Sequence, residues 1–133
     1  MLFVDTNIFL EILLGQEKSN ESELFLKWAH QENLELVCST FSIHAIEAII
    51  SNRKQLRILK NFLEDLVESK NISIHSTSIE EEKQIIMIAE QTHLDFDDAL
   101  QYFVAKKAGC KIIVSFDAHF DKTDMERKTP NEI

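Results

Sequence analysis

The sequence predicts an α/β domain with a short, mostly parallel sheet of four or five strands. Three observations support this prediction. Short apolar runs alternate along the chain with longer segments of helical periodicity, which is the pattern of strand–helix–strand units. Only 2 glycines and 1 proline occur in 133 residues, too few for an all-β fold with many turns. A chain of this length can bury a core as one domain, residues 1–133, without disulfides or structural zinc.

In the first half of the chain, each predicted strand is a short apolar run and each predicted helix carries apolar residues at helical spacing. The predicted order is a strand at Leu2–Val4, a helix at Asn7–Leu14, a helix from about Ser19 to Asn33, a strand at Leu34–Cys38, a helix from about Thr40 to Ser51 and a helix at Arg53–Ser69.

In the second half, polar residues that can cap helices mark the boundaries. We predict a strand at Asn71–His75, a helix capped by Ser78, a helix capped by Asp95 and running to about Ala108, and a strand at Lys111–Ser115. Glu81 lies three residues after Ser78, which is the spacing of a capping box. The residues after this last strand are predicted to form a short tail.

The composition is that of a globular domain outside the membrane. Hydrophobic residues make up 44% and charged residues 28% of the chain, and no apolar stretch approaches the roughly 20 residues of a membrane span. The sequence starts without a signal peptide, and Cys38 and Cys110 fit no metal-binding spacing. We therefore predict a cytoplasmic protein with two reduced, buried thiols.

Two predicted strands are each followed by an aspartate. Asp5 comes directly after Leu2–Val4, and Asp117 follows the run from Ile112 to Phe116. In open parallel sheets, ligands bind beyond the carboxyl ends of the strands. The two carboxylates are therefore predicted to lie at one ligand-binding edge, although an aspartate in a turn or a cap would give the same pattern.

Two helices contribute further acidic candidates. Glu47 shares a helical face with Ile43 and Ile50, where a carboxylate is costly to bury unless it is paired or binds a cation. A glutamate at the edge of that face, reaching solvent, is the alternative. In the later helix Asp95 is explained as the cap. Periodicity does not decide which of the two following aspartates, Asp97 or Asp98, is the functional candidate.

Four converging carboxylates would repel one another by about 4 kcal/mol for each close pair at an effective dielectric constant of 20. Such a cluster takes up either protons or a hard divalent cation. Oxygen ligands select Mg²⁺, Mn²⁺ or Ca²⁺ over zinc. Mg²⁺ or Mn²⁺ held in this way can activate water for attack on a phosphodiester.

Four segments of the chain resemble, in order, the motifs of the PIN domain family, and especially the toxin half of VapBC-type toxin–antitoxin pairs. The segments are Val4 to Leu10 with its Asp-Thr-Asn signature, Ser42 to Glu47, Asp97 to Ala105, and Ile113 to Phe120, followed by Thr129-Pro130. In the third motif the metal-binding aspartate directly precedes alanine, which favours Asp98 over Asp97. In the fourth, Ser115 stands where the family has serine or threonine.

The resemblance implies a three-layer α/β/α fold and cleavage of RNA by a metal-activated water. It also implies a homodimer and a cognate antitoxin as partner. The implied ligands of Mg²⁺ or Mn²⁺ are Asp5, Glu47, Asp98 and Asp117. The implied supporting residues are Thr6 and Asn7, which would orient Asp5 or a bound water, together with Asp97 and Ser115.

The formal net charge of −9 is a poor match for a protein that grips nucleic acid through a basic surface. Basic residues do cluster, and we expect weak, salt-sensitive RNA binding. The two clusters are Arg53, Lys54, Arg57 and Lys60, and Lys106, Lys107 and Lys111.

Two alternatives to the nuclease stay open. One is a catalytically silent PIN-like module that binds RNA or protein. The other is an aspartate-based phosphatase or receiver-type domain, although Asn7 occupies the place where the phosphatase needs a second aspartate. Of the histidines, His44 beside Glu47 is a weak metal-ligand candidate, and His119 could contact phosphate.

Overall fold

The computed structural model describes every residue from Met1 to Ile133 and confirms the predicted α/β class. The elements are β1 (Leu2–Val4), α1 (Thr6–Leu13), α2 (Ser19–Gln31), β2 (Leu36–Ser39), α3 (Thr40–Asn52), α4 (Leu56–Glu68), β3 (Ile72–His75), α5 (Ile79–Thr92), α6 (Phe96–Lys107), β4 (Ile112–Val114) and β5 (Glu126–Lys128), with 3₁₀ helices at Ala118–Lys122 and Pro130–Glu132. The four predicted strands and six predicted helices are all present, with boundaries shifted by a few residues.

The five strands form one sheet in the order β3-β2-β1-β4-β5, and every pairing is parallel. The fifth strand lies in the segment that the sequence predicts as a tail. Its residues, Glu126-Arg127-Lys128, are all charged and carry no apolar run. Because β5 is an edge strand that pairs only with β4, polar side chains are compatible with its position.

Alternate residues of the strands point into two separate cores, as the pleat of a β-strand requires. Phe3 and Val37 pack against α5 and α6, whereas Val4 and Cys38 pack against α1, α2, α3 and α4. This division gives the three layers, helices–sheet–helices, that the resemblance implies. Cys38 and Cys110 are free and buried, and none of the helices is both long and apolar enough to cross a membrane.

The succession of strands reverses direction beside β1. From β1 the chain proceeds through β2 to β3 on one side, and it then crosses to β4 and β5 on the other side. The amide of Asp5 donates to the carbonyl of Val114 at 3.0 Å, so the carboxyl ends of β1 and β4 are adjacent. This switch point is where open parallel sheets bind their ligands.

Candidate active site

Asp5 is the most deeply placed of the acidic residues, with 5% of its surface exposed. Its Oδ1 accepts a hydrogen bond from the backbone amide of Thr6 at 2.8 Å, and its Oδ2 accepts one from Ser115 Oγ at 2.6 Å. Burial raises the pKa of Asp5 to about 6, although both hydrogen bonds oppose that shift. The carboxylate is therefore held in one orientation in an environment that disfavours its charge.

Ser115 connects the first aspartate to the last. Its hydroxyl is fully buried, donates to Asp5 and accepts from the backbone amide of Asp117 at 2.9 Å. Asp117 in turn caps the following 3₁₀ helix, because its Oδ1 accepts from the amide of His119 at 2.8 Å. The resemblance implies a supporting role for Ser115, and these contacts are consistent with that role.

Asp98 is the third residue of α6, and its side chain is 16% exposed. Burial raises the pKa of Asp98 to about 6, and the negative charges of Asp97, Asp117 and Asp5 add to the increase. Asp97 is exposed. Periodicity does not decide between Asp97 and Asp98. In the structure, Asp98 is the less exposed of the two and lies near enough to Asp5 and Asp117 for their charges to act on it.

His119 is closer to the carboxylates than the sequence indicates. Its Nδ1 lies 3.4 Å from Asp98 Oδ2 and 3.1 Å from Asp117 Oδ1. The ligand atoms of these three residues all lie within 4.8 Å of one another, which is a spacing that can hold a metal ion.

These acidic residues line one side of a cleft of about 260 Å³. We call this side the acidic wall: Asp5, Asp97, Asp98 and Asp117. The opposite side, formed by α1 and α3, is the apolar wall: Leu10, Phe41, Ala45 and Ile49. Thr6, Asn7 and Gln101 complete the lining, which contains no lysine or arginine.

Glu47 is the predicted ligand that the structure does not bring to this cleft. Phe41, Ala45 and Ile49 form the face of α3 that lines the cleft, and Glu47 lies about 200° around the helix from Ala45. The Glu47 side chain is 38% exposed, with its carboxylate 3.9 Å from His44 Nε2. The placement of Glu47 among the ligands is therefore corrected. Ile46 takes the buried place between Ile43 and Ile50, so the alternative of a glutamate that reaches solvent holds.

A buried polar network that the sequence reasoning missed joins the two walls. Gln101 Nε2 donates to Thr6 Oγ1 at 3.0 Å and to Ser42 Oγ at 2.6 Å, while Gln101 Oε1 accepts from Ser39 Oγ. Thr6 and Ser42 also lie 2.7 Å apart, oxygen to oxygen. Gln101 lies three residues after Asp98 and so on the same face of α6, a spacing that could have identified it.

The donor set of the acidic wall fits a hard divalent cation. Three carboxylates converge from β1, α6 and the segment after β4, and two of them have raised pKa values without a cationic side chain in the cleft. Oxygen-rich ligation of this kind suits Mg²⁺ or Mn²⁺. Asp98 and Asp117, with His119 beside them, could hold such an ion, and Asp5 lines the same cleft.

Comparison with known proteins agrees with this geometry. The PIN domain family model matches residues 2–126. Ribonuclease VapC1 from Aquifex aeolicus (strain VF5) is 30% identical over 135 residues, which cover 98% of this chain and 91% of that protein.

Three solved structures share the fold. VapC20 from Mycobacterium tuberculosis, a toxin that cleaves the sarcin–ricin loop, has a TM-score of 0.76 at 17% identity and covers 94% of this chain and 96% of its own. FitAcB from Neisseria gonorrhoeae has a TM-score of 0.70 at 17% identity, with full coverage of both chains. VapBC2 from Rickettsia felis, bound to a DNA fragment from its promoter, has a TM-score of 0.71 at 15% identity and covers 97% and 98%. The chain belongs to the PIN domain family, and within it resembles the VapC ribonuclease toxins.

Proposed function

We propose that this protein is an endoribonuclease that uses Mg²⁺ or Mn²⁺ to hydrolyse phosphodiester bonds of RNA. The observation that carries the proposal is the convergence of Asp5, Asp98 and Asp117 at the switch point of the sheet. These residues come from three separate segments of the chain. The raised pKa values of Asp5 and Asp98 mean that the cluster gains stability from any cation that binds there.

Three residues of the acidic wall have distinct tasks in this proposal. Asp5, fixed by Ser115 and Thr6, holds its carboxylate at the base of the cleft. Asp98 and Asp117 approach from the α6 side and from the end of β4, and complete the oxygen donor set. An ion held by these carboxylates would lower the pKa of a bound water and compensate the charge of the phosphate. Asn7, exposed at the cleft, offers an amide donor to a phosphate oxygen.

Cleavage of labelled RNA in matched buffers tests the proposal. We expect cleavage with Mg²⁺ or Mn²⁺ and none with EDTA, because the residues that line the cleft supply no cationic group for the phosphate. Equal cleavage in EDTA, or no cleavage of any RNA by folded protein at any metal concentration, would contradict it.

One observation favours a second candidate, a PIN-like module that binds RNA or protein without cleaving it. The face of α3 that lines the cleft carries Phe41, Ala45 and Ile49 and thus no carboxylate. A site with three carboxylates binds a cation more weakly than one with four. The cleavage assay separates the two candidates. The match to the PIN family over residues 2–126 argues against the phosphatase or receiver alternative.

The biological role that we propose is that of a toxin controlled by an antitoxin, in a cytoplasmic homodimer. The similarity to VapC proteins supports this role. Expression of the chain without its partner is then expected to slow growth, and Asp98→Asn to relieve that effect. Light scattering of the purified chain measures whether it forms a dimer. Normal growth with soluble, active protein would argue against the toxin role but not against the nuclease.

A further inference from the structure

We propose that the apolar wall is a nucleobase subsite, in which Phe41 stacks on the base beside the scissile phosphate of single-stranded RNA. This inference rests on the proposed nuclease function and names how its substrate is held. Phe41 stands in the first turn of α3, across the cleft from the carboxylates.

Phe41 is partly exposed and lies outside the buried face of α3. The side of α3 that faces the core is formed by Ile43, Ile46 and Ile50, all of them buried. Phe41 keeps 38% of its surface exposed. Ala45 and Ile49 follow it at intervals of four residues and continue the apolar surface along the cleft. The wall therefore places a partly exposed aromatic side chain in the cleft that the carboxylates line.

The charge of the cleft requires a source of affinity other than basic side chains. No lysine or arginine lines it, and the chain carries a net charge of −9. In the second basic cluster, Lys106 is paired with Asp124 and Lys107 with Glu81. Stacking of a base on an aromatic ring requires no positive charge and adds on the order of tenfold in affinity per base.

The size of the cleft favours a single nucleotide as occupant. At about 260 Å³ it is smaller than the roughly 300–1,000 Å³ of a site for a drug-sized ligand. A base can reach this wall only when it is neither paired nor stacked within an RNA helix. Proteins that bind single-stranded RNA contact bases in this form. The occupant is therefore an unpaired base attached to the phosphate that the acidic wall receives.

The test compares binding of two oligomers of equal charge. One is a random-sequence 12-nucleotide single-stranded RNA, and the other is an abasic 12-mer with the same number of phosphates. Affinities are measured by fluorescence anisotropy in Ca²⁺, with gels to confirm that the RNA stays intact. The variants are Phe41→Ala, Phe41→Trp and the matched control Phe96→Ala, whose residue starts α6, is 40% exposed and does not line the cleft.

We expect the wild-type chain to prefer the base-bearing oligomer, and Phe41→Ala to weaken that binding on the order of tenfold at low and at high salt. Binding of the abasic oligomer should not change. Phe41→Trp and Phe96→Ala should retain wild-type affinity. No preference for the base-bearing oligomer, or an equal loss in Phe41→Ala and Phe96→Ala, would overturn the subsite.

The failure of this inference can be distinguished from failure of the proposed function. If Phe41→Ala binds both oligomers like the wild type while the chain still cleaves RNA with Mg²⁺, the subsite is wrong and the nuclease stands. If the wild type cleaves no RNA, the nuclease proposal fails on its own assay. A circular-dichroism melt of Phe41→Ala that matches the wild type shows that any loss of binding is not a loss of fold.

Discussion

The two walls of the cleft differ in composition and in the way the fold produces them. The acidic wall is built from chain segments that follow β1 and β4 and from the first turn of α6, whereas the apolar wall is built mainly from one face of α3. Strand ends in a parallel sheet converge on one edge whatever the side chains are. A helix face depends on rotation, where an error of two residues turns a side chain through about 200°.

This difference explains why the positions of the strand-end carboxylates in the acidic wall could be predicted, whereas the residues by which α3 lines the cleft could not. Asp5 and Asp117 follow from the alternation of strands and helices, while Glu47, assigned from helical phase and from the resemblance, does not line the cleft. The two walls are joined by Gln101, which contacts Thr6 and Ser42. Their separation in the fold is therefore fixed even though their chemistry differs.

The largest expected effect concerns the acidic wall. We expect Asp98→Asn to lower kcat/KM for RNA cleavage at least about a hundredfold, because it removes a metal ligand. Asp97→Asn is the matched control, since it removes the same charge from the exposed neighbour. Steady-state cleavage rates measure both, and a larger loss in Asp97→Asn would reverse the assignment.

The second prediction concerns stability against pH in the absence of divalent ions. Because the pKa of Asp5 is raised from 3.8 to about 6, the native state binds more protons than the unfolded state between these values. The free energy of unfolding then falls as the pH rises from 4 to 7.5, by on the order of 2 kcal/mol. We expect Mg²⁺ to restore that stability at pH 7.5.

Thermal melts in EDTA and in Mg²⁺ at pH 5 and pH 7.5 measure this effect. Asp5→Asn is the control, because an amide does not titrate and should show a smaller dependence on both pH and Mg²⁺. Equal dependence in Asp5→Asn and wild type would show that Asp5 is not the source.

The third prediction concerns a carboxylate placed on the apolar wall. The resemblance implies an acidic residue in α3, and a substitution can place one on the side that faces the cleft. Ala45 faces the cleft, so Ala45→Glu is expected to raise Mn²⁺ affinity by about tenfold through a fourth carboxylate. Calorimetric titration with Mn²⁺ measures the change. A weaker affinity than that of the wild type would mean that this position lies too far from the ion.

The smallest expected effect is that of Glu47→Gln. Glu47 lies beside His44 on the outer side of α3, so Mn²⁺ affinity and RNA cleavage should stay within about twofold of the wild type. A loss as large as that of Asp98→Asn would restore Glu47 to the ligand set and contradict its position in the fold.

Most of the fold was predictable from the sequence because apolar periodicity and caps mark the elements. The capping box of Ser78 and Glu81 begins α5 as predicted. β5 was not predicted, because Glu126-Arg127-Lys128 carries no apolar signal and its pairing depends on β4 being adjacent. In the site, Asp5 and Asp117 follow from local patterns, whereas Asp98 is favoured over Asp97 only by the family resemblance. The contacts of Gln101 and His119 depend on packing between distant elements and leave only a weak trace in sequence.

Titration with Mn²⁺ measures whether Asp5, Asp98 and Asp117 together hold a divalent cation. Free Mn²⁺ is counted by electron paramagnetic resonance during titration of the wild type, of Asp98→Asn and of Glu47→Gln. We expect stoichiometric binding by the wild type and Glu47→Gln, and loss of binding in Asp98→Asn. Undiminished binding in Asp98→Asn, or no binding by the wild type, would contradict it.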